Sequence, residues 1–246
     1  MATSSSRSTR STTKVTRTAQ LLQPPTGRGW GDVGSPGNIA LFEEAQPQRW
    51  VWRSLVAAGN ETGGAEGANE NDMAVLDDGS LIVIFRRDGG DGWPDHAHRS
   101  YMKVLSSNAG RDWTKPEALP ENVLSARPQL LKLPHGPLLL TGGRPKLMLW
   151  VSADGRGQSW APYNLAAQHN RGLAPDSPAR FCDAFANGTA DWLESTCYTS
   201  LQRVADDPSG AKRVLVCYDR MGTEPPVAPP ECQPDRVETF CMRASV

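Results

Sequence analysis

A chain of 246 residues is long enough to bury a sizeable core without help from metals or disulfides. Its formal net charge of -1, with 22% charged residues, excludes the basic excess of a nucleic-acid-binding protein. No apolar run reaches the roughly 20 residues that a membrane-crossing helix needs, so no membrane span is expected.

Residues 1–37 read as a Ser/Thr/Arg-rich tail, disordered or transit-like, followed by a Gly/Pro-rich linker. The tail lacks the apolar centre of a secretory signal, and the compartment stays open. Sequons at Asn60 and Asn187 would be used only on the secretory route. From Asn38 to Val246, short apolar runs are separated by turn residues. MAVLDDGSLIVIF, PQLLKLPHGPLLLTGG and SLQRVADDPSGAKRVLVCYD each place Gly, Pro or Asp between β-rich segments, which predicts hairpins. No long capped amphipathic helix is visible, so the chain is expected to be all-β. The cysteines, Cys182, Cys197, Cys217, Cys232 and Cys241, show no CxxC spacing and no nearby His pair. No metal or other cofactor is expected. Cys197 and Cys217 fall on two predicted neighbouring strands, where a disulfide and two buried thiols are both open.

A coarse unit recurs about every 45 to 60 residues: an apolar hairpin, a third strand, a polar turn ending in Trp, and a short outer strand. The first three units reach Trp50, Trp113 and Trp160, and the last runs from the Tyr198–Asp219 hairpin to VETFCMRASV. Such tandem four-stranded units predict the blades of a β-propeller. The turns Ser106–Trp113 and Ser152–Trp160 share a Ser, an Asx two positions on, a Gly and the Trp. An Asx side chain bonds the amides of its own turn, Gly takes a positive φ, and Trp packs beneath. These turns resemble the Asp-box, or BNR, repeats of sialidases (neuraminidases).

Further segments are similar to that superfamily. NENDMAVLDDGSLIVIFR resembles the sialidase hairpin that opens on a Glu and closes on an Arg, here Glu70 and Arg86. GGRPKLMLWVSADG places Arg144 before a strand that runs into an Asp box. STCYTSLQRV with RVLVCYDRM resembles the segment of the nucleophilic tyrosine, here Tyr198. The resemblance implies a six-bladed sialidase-like propeller portion over residues 38–246, with the N-terminal blades missing. It implies an exo-α-sialidase, a retaining glycoside hydrolase acting on sialylated glycoproteins, glycolipids or oligosaccharides. Tyr198 and Glu70 would be the catalytic pair, and Arg86 and Arg144 would bind the substrate carboxylate. Guanidinium groups suit that carboxylate, and a phenol approaches it with less repulsion than a carboxylate nucleophile would. The chain departs from the family in lacking an F-R-x-P motif and a matching general acid. Arg28, Asp32 and Asp95 lie in other contexts, and His96 and His98 match no metal spacing. This departure implies weak or no hydrolysis, and the alternative is a catalytically inactive glycan-binding Asp-box propeller.

Overall fold

The computed structural model describes residues 16–21, 38–47, 49–58, 68, 70–86, 100–143, 146–187, 194–195, 198–222 and 237–246. Among them the first sheet is an antiparallel meander of β1 (Thr16–Leu21), β2 (Asn38–Gln46) and β3 (Arg49–Ala57). The second is β4 (Asn71–Val75), β5 (Leu81–Phe85), β6 (Met102–Ser106) and β7 (Glu117–Ala118). The third is β8 (Gln129–Lys132), β9 (Leu138–Gly142), β10 (Met148–Ser152) and β11 (Ala161–Asn164). Two short helices follow, α1 (Leu165–Arg171) and α2 (Asp183–Ala186). The fourth sheet joins β12 (Glu194–Ser195), β13 (Thr199–Val204), β14 (Arg213–Gly222) and β15 (Glu238–Ser245). β1 falls inside the stretch read as a tail; the rest of residues 1–37 lies outside the described residues.

The buried strands show why this sequence stacks sheets. In β5, Leu81, Val83 and Phe85 pack with Ile39, Leu41 and Val56 of the first sheet, while Ile82 and Ile84 pack with Leu138 and Leu140 of the third. In β9, Leu139 points the other way and joins Val214 and Val216 of the fourth. Alternate side chains of a strand face opposite sides, so a sheet covered on both faces needs a continuous apolar run such as LIVIF or LLLTG. Each fully buried Leu or Ile contributes about 1.5–3 kcal/mol.

The all-β expectation holds, with the two helices as additions. The sialidase-like six-bladed propeller is corrected: the described residues form four separate small antiparallel sheets, and none of these closes into a barrel or toroid. Among the described residues no pairing links the first sheet to the fourth. The outward side of the first sheet leaves Trp52 53% exposed, edge-on to Phe42 at 5.9 Å. The physical reason is scale. Hairpins and turns are local and readable, whereas ring closure depends on which distant faces meet.

The two Trp-bearing turns keep their predicted internal bonding, though the sialidase-repeat label they suggested falls with the propeller. Ser106 Oγ donates to Asn108 Oδ1 (3.0 Å) and accepts from Gly110 N (2.9 Å); Asn108 Oδ1 also accepts from Asp112 N (3.0 Å). Ser152 Oγ donates to Asp154 Oδ1 (3.0 Å) and accepts from Gly157 N (3.0 Å). Gly110 has φ +76°, and a Cβ there would strike Leu41 Cδ2, so the turn requires glycine. Trp113 Nε1 donates to Ser54 Oγ on β3 (2.9 Å), which locks the second sheet to the first. Cys217 is disulfide-bonded to Cys241, directly opposite on β15, rather than to Cys197.

Candidate functional site

The leading strands of successive sheets, β1, β4, β8 and β13, neighbour one another along the row. At one end of that row β4, β8 and β13 begin, and β5, β9 and β14 finish or turn away. Glu70 stands just before β4 and Arg86 just after β5. Arg86 N donates to Glu70 O (2.9 Å), closing the hairpin. Arg86 Nη1 pairs with Glu70 Oε2 at 3.1 Å, with side chains 7% and 20% exposed. The same Oε2 accepts from Arg127 N at 2.8 Å, which ties the second sheet to the loop entering β8.

Two residues into this sheet, Asp72 makes a second tie. Its carboxylate accepts from Met73 N (2.8 Å) and from Leu130 N on β8 (2.7 Å). Burial holds the Asp72 carboxyl above the usual carboxylate range, against the opposing pull of those two amides and of the Arg127 charge. With its backbone fixed by Glu70, Arg127 lays its guanidinium over the Tyr198 ring, 5.5 Å from the centroid. Tyr198 immediately precedes β13 and is 42% exposed. The result is a cluster built by three sheets, in which an aromatic ring, two guanidinium groups and a carboxylate lie in sequence.

Glu70 and Arg86 are therefore brought together, and Tyr198 joins them through Arg127. Arg144 lies outside the described residues, as do Arg28, Asp32, Asp95, His96 and His98. Sequence reading missed Arg127 and Asp72. The one signal for Arg127 is its place in SARPQL, a cation before a proline that opens a strand. Asp72 is a polar residue at the start of an apolar strand, a position where a buried carboxylate needs partners.

A second polar cluster lies on α1. His169 Nε2 donates to Ala179 O (2.9 Å), since a carbonyl can only accept, so Nδ1 accepts from the Tyr218 hydroxyl (2.9 Å). Burial depresses the His169 pKa and pushes the Tyr218 phenol up to about 12. Phe181, Phe240 and Tyr218 enclose the ring. Both ring nitrogens are used and both side chains are buried, so the pair serves packing: it pins the loop after α1 onto β14. Among the described residues no three His, Cys, Asp or Glu side chains group as metal ligands.

No family model matches the sequence, and no curated protein matches it. Solved structures do. A protein of unknown function from Dyadobacter fermentans aligns with TM-score 0.50 and 15% identity over 86% of this chain and 46% of that one. A structure of polysaccharide lyase PL25-ulvan lyase aligns with TM-score 0.47 and 15% identity over 85% of this chain and 46% of its own. A second, bound to -[GlcA(1-4)Rha3S]-, aligns with TM-score 0.46 and 14% identity over 85% and 46%. The first likeness speaks to fold alone, and the two weaker ones carry no argument. The chain spans less than half the length of these structures.

Membership of the sialidase superfamily, exo-α-sialidase activity as a retaining glycoside hydrolase, and the inactive Asp-box propeller alternative are all overturned. The likeness that speaks to fold is to a protein of unknown function, and the sheets formed by the described residues stay open. The misleading motifs are Ser, Asx, Gly and Trp in turns that satisfy their own backbones, a need of any such meander rather than of one chemistry. With them goes the reason to single out sialylated glycoproteins, glycolipids or oligosaccharides as partners.

Proposed function

We propose that the chain binds an anionic carbohydrate where Arg127 meets Tyr198. The observation that carries this reading is the stack of the Arg127 guanidinium over a half-exposed tyrosine, anchored through the Arg127 amide to Glu70. A pyranose offers an apolar C–H face to an aromatic ring, and a sugar carboxylate or sulfate accepts paired N–H bonds from a guanidinium. Arg86 pairs with Glu70 and so helps to hold the carboxylate that anchors the Arg127 amide. Arg144 is kept in the proposal on sequence grounds alone, as a second guanidinium suited to a sugar carboxylate.

Calorimetric titration with uronate-containing, sulfated and neutral oligosaccharides tests this. Arg127→Ala should weaken binding of the acidic sugars about tenfold, the worth of one charge-assisted hydrogen bond. Tyr198→Ala should weaken acidic and neutral sugars alike. Equal affinity for neutral and acidic sugars, or indifference to Arg127→Ala, rejects the reading.

A further inference from the structure

The Arg127–Tyr198 cluster lies where β4 and β8 begin. Val75 and Ser106 both pair with Leu81, so the turns after β4 and β6 lie at the opposite end of the second sheet. There a groove of about 770 Å³ runs between those turns and the turn that follows β10. Its volume falls within the roughly 300–1,000 Å³ of small-ligand sites. Among the described residues its charged lining is Asp78, Lys103, Asp112, Glu117 and Arg156.

Each of these carboxylates has a donor beside it. Arg156 Nη2 reaches Asp78 Oδ2 at 2.7 Å from one sheet to the next, and Lys103 Nζ lies 3.7 Å from Glu117 Oε1. Asp112 Oδ2 accepts from Asn108 Nδ2 at 2.8 Å. An ionic ligand of either sign would therefore meet a like charge as well as an opposite one.

The protein leaves donor capacity at Lys103. Its side chain is 10% exposed, and among the described residues its ammonium, with three N–H groups, makes one hydrogen bond, to Gly157 O at 3.2 Å. The first and second sheets show a matched arrangement at the same place in the turn: Ser54 Oγ donates to Gly110 O (2.6 Å) and accepts from Trp113 Nε1 (2.9 Å). Between the second and third sheets the glycine carbonyl meets an ammonium instead, which cannot accept, and Trp160 Nε1 is buried with no acceptor among the described residues. Gly157 adjoins that indole, since a Cβ built on it would come 3.2 Å from Trp160 Cζ2. The spare N–H of Lys103 suits a ligand oxygen, and the Glu117 carboxylate beside it suits a ligand O–H.

We propose that this groove binds a neutral saccharide through its hydroxyls. A hydroxyl accepts and donates at once, so neighbouring hydroxyls of one ring take an N–H from Lys103 and give an O–H to Glu117. The Arg156–Asp78 pair offers the same combination to further hydroxyls.

Maltotriose, cellotriose and mannotriose titrated into the intact chain, followed by amide NMR, test this. The amides of Ser107, Thr114 and Gln158, which line the groove, should shift saturably with at least one of the three. Lys103→Met should weaken that binding about tenfold or more, the worth of a hydrogen bond to a charged group. Should this variant fail to fold, Glu117→Gln, at a side chain 69% exposed, should weaken binding about threefold. In the Lys103→Met protein, calorimetry with acidic sugars reads the Arg127–Tyr198 cluster alone, so failure at one place leaves the other standing. The proposal is overturned if none of the three sugars moves these amides, or if both variants bind as the parent does. Sodium sulfate shifting the same amides at lower concentration than any trisaccharide also overturns it, by making the groove an anion site.

Discussion

Gly142 ends β9 beside the loop that carries Arg127. A Cβ at this position would strike Ser125 Cβ and come within 2.6 Å of the Tyr101 hydroxyl, which donates to Ala126 O at 2.8 Å. Both neighbours are buried and cannot move aside cheaply. Gly142→Ala should therefore cost about 1–3 kcal/mol, the usual range for overpacking a filled core. Chemical denaturation should show a lower midpoint with an unchanged slope, and Ser125→Gly in the same chain should recover part of the loss. A Gly142→Ala protein as stable as the parent would refute this account of the close approach. The effect reaches function, because the displaced segment runs through Ala126 into Arg127, whose amide holds Glu70. At this scale the closeness of Glu70 and Arg86 was legible, since they flank one hairpin. Arg127 was not, since its partner is 57 residues away in sequence and no spacing rule links them.

Among the elements, α1 was the hardest to foresee. Its seven residues, LAAQHNR, are too few for a helical period to stand out, and an Asn164 cap bonded to Ala167 N (2.9 Å) helps to hold its first turn. The strands were easier, because LIVIF and LLLTG leave no other burial pattern open. α1 also introduces a pH dependence. His169 faces Tyr218 and Arg220 from β14, Arg180 from the loop after α1, and Glu238 from β15. Burial is the largest cause of its lowered pKa, and the charges of Arg220 and Arg180 add to it while Glu238 opposes. The neutral form is thus the folded form. A group whose folded pKa lies below its ordinary value of 6.5 takes up protons more readily when unfolded. Its contribution to stability is complete above that value and is lost as pH falls toward the depressed one. The thermal midpoint should accordingly drop as pH falls below about 6.5, and His169→Gln should flatten that slope. An identical slope in the variant would show that another group is responsible.

The whole molecule is a row of sheets in which each core lies between two neighbours, so cooperativity should be graded along it. β5 and β9 each contribute to two clusters, while the first sheet buries one face and leaves Trp52 and Leu55 of β3 exposed. In stacked-repeat architectures stability is nearly a sum of each unit and its interfaces, so a unit with one interface opens at lower free energy than one with two. Amide exchange should be slowest in β5 and β9, intermediate in β14 and fastest in β3. Leu140→Ala, which opens a cavity in a fully buried position of the central stack, should cost about 2–5 kcal/mol. It should also speed exchange in β5 and β9 together, because Leu140 and Ile82 belong to the same cluster. Val56→Ala, within the cluster of the first and second sheets, should speed exchange in β2 and β3 while leaving β9 nearly unchanged. Uniform protection across all four sheets, or a loss in β9 on Val56→Ala equal to that in β3, would mean that the molecule opens as one unit and that the row has no ends.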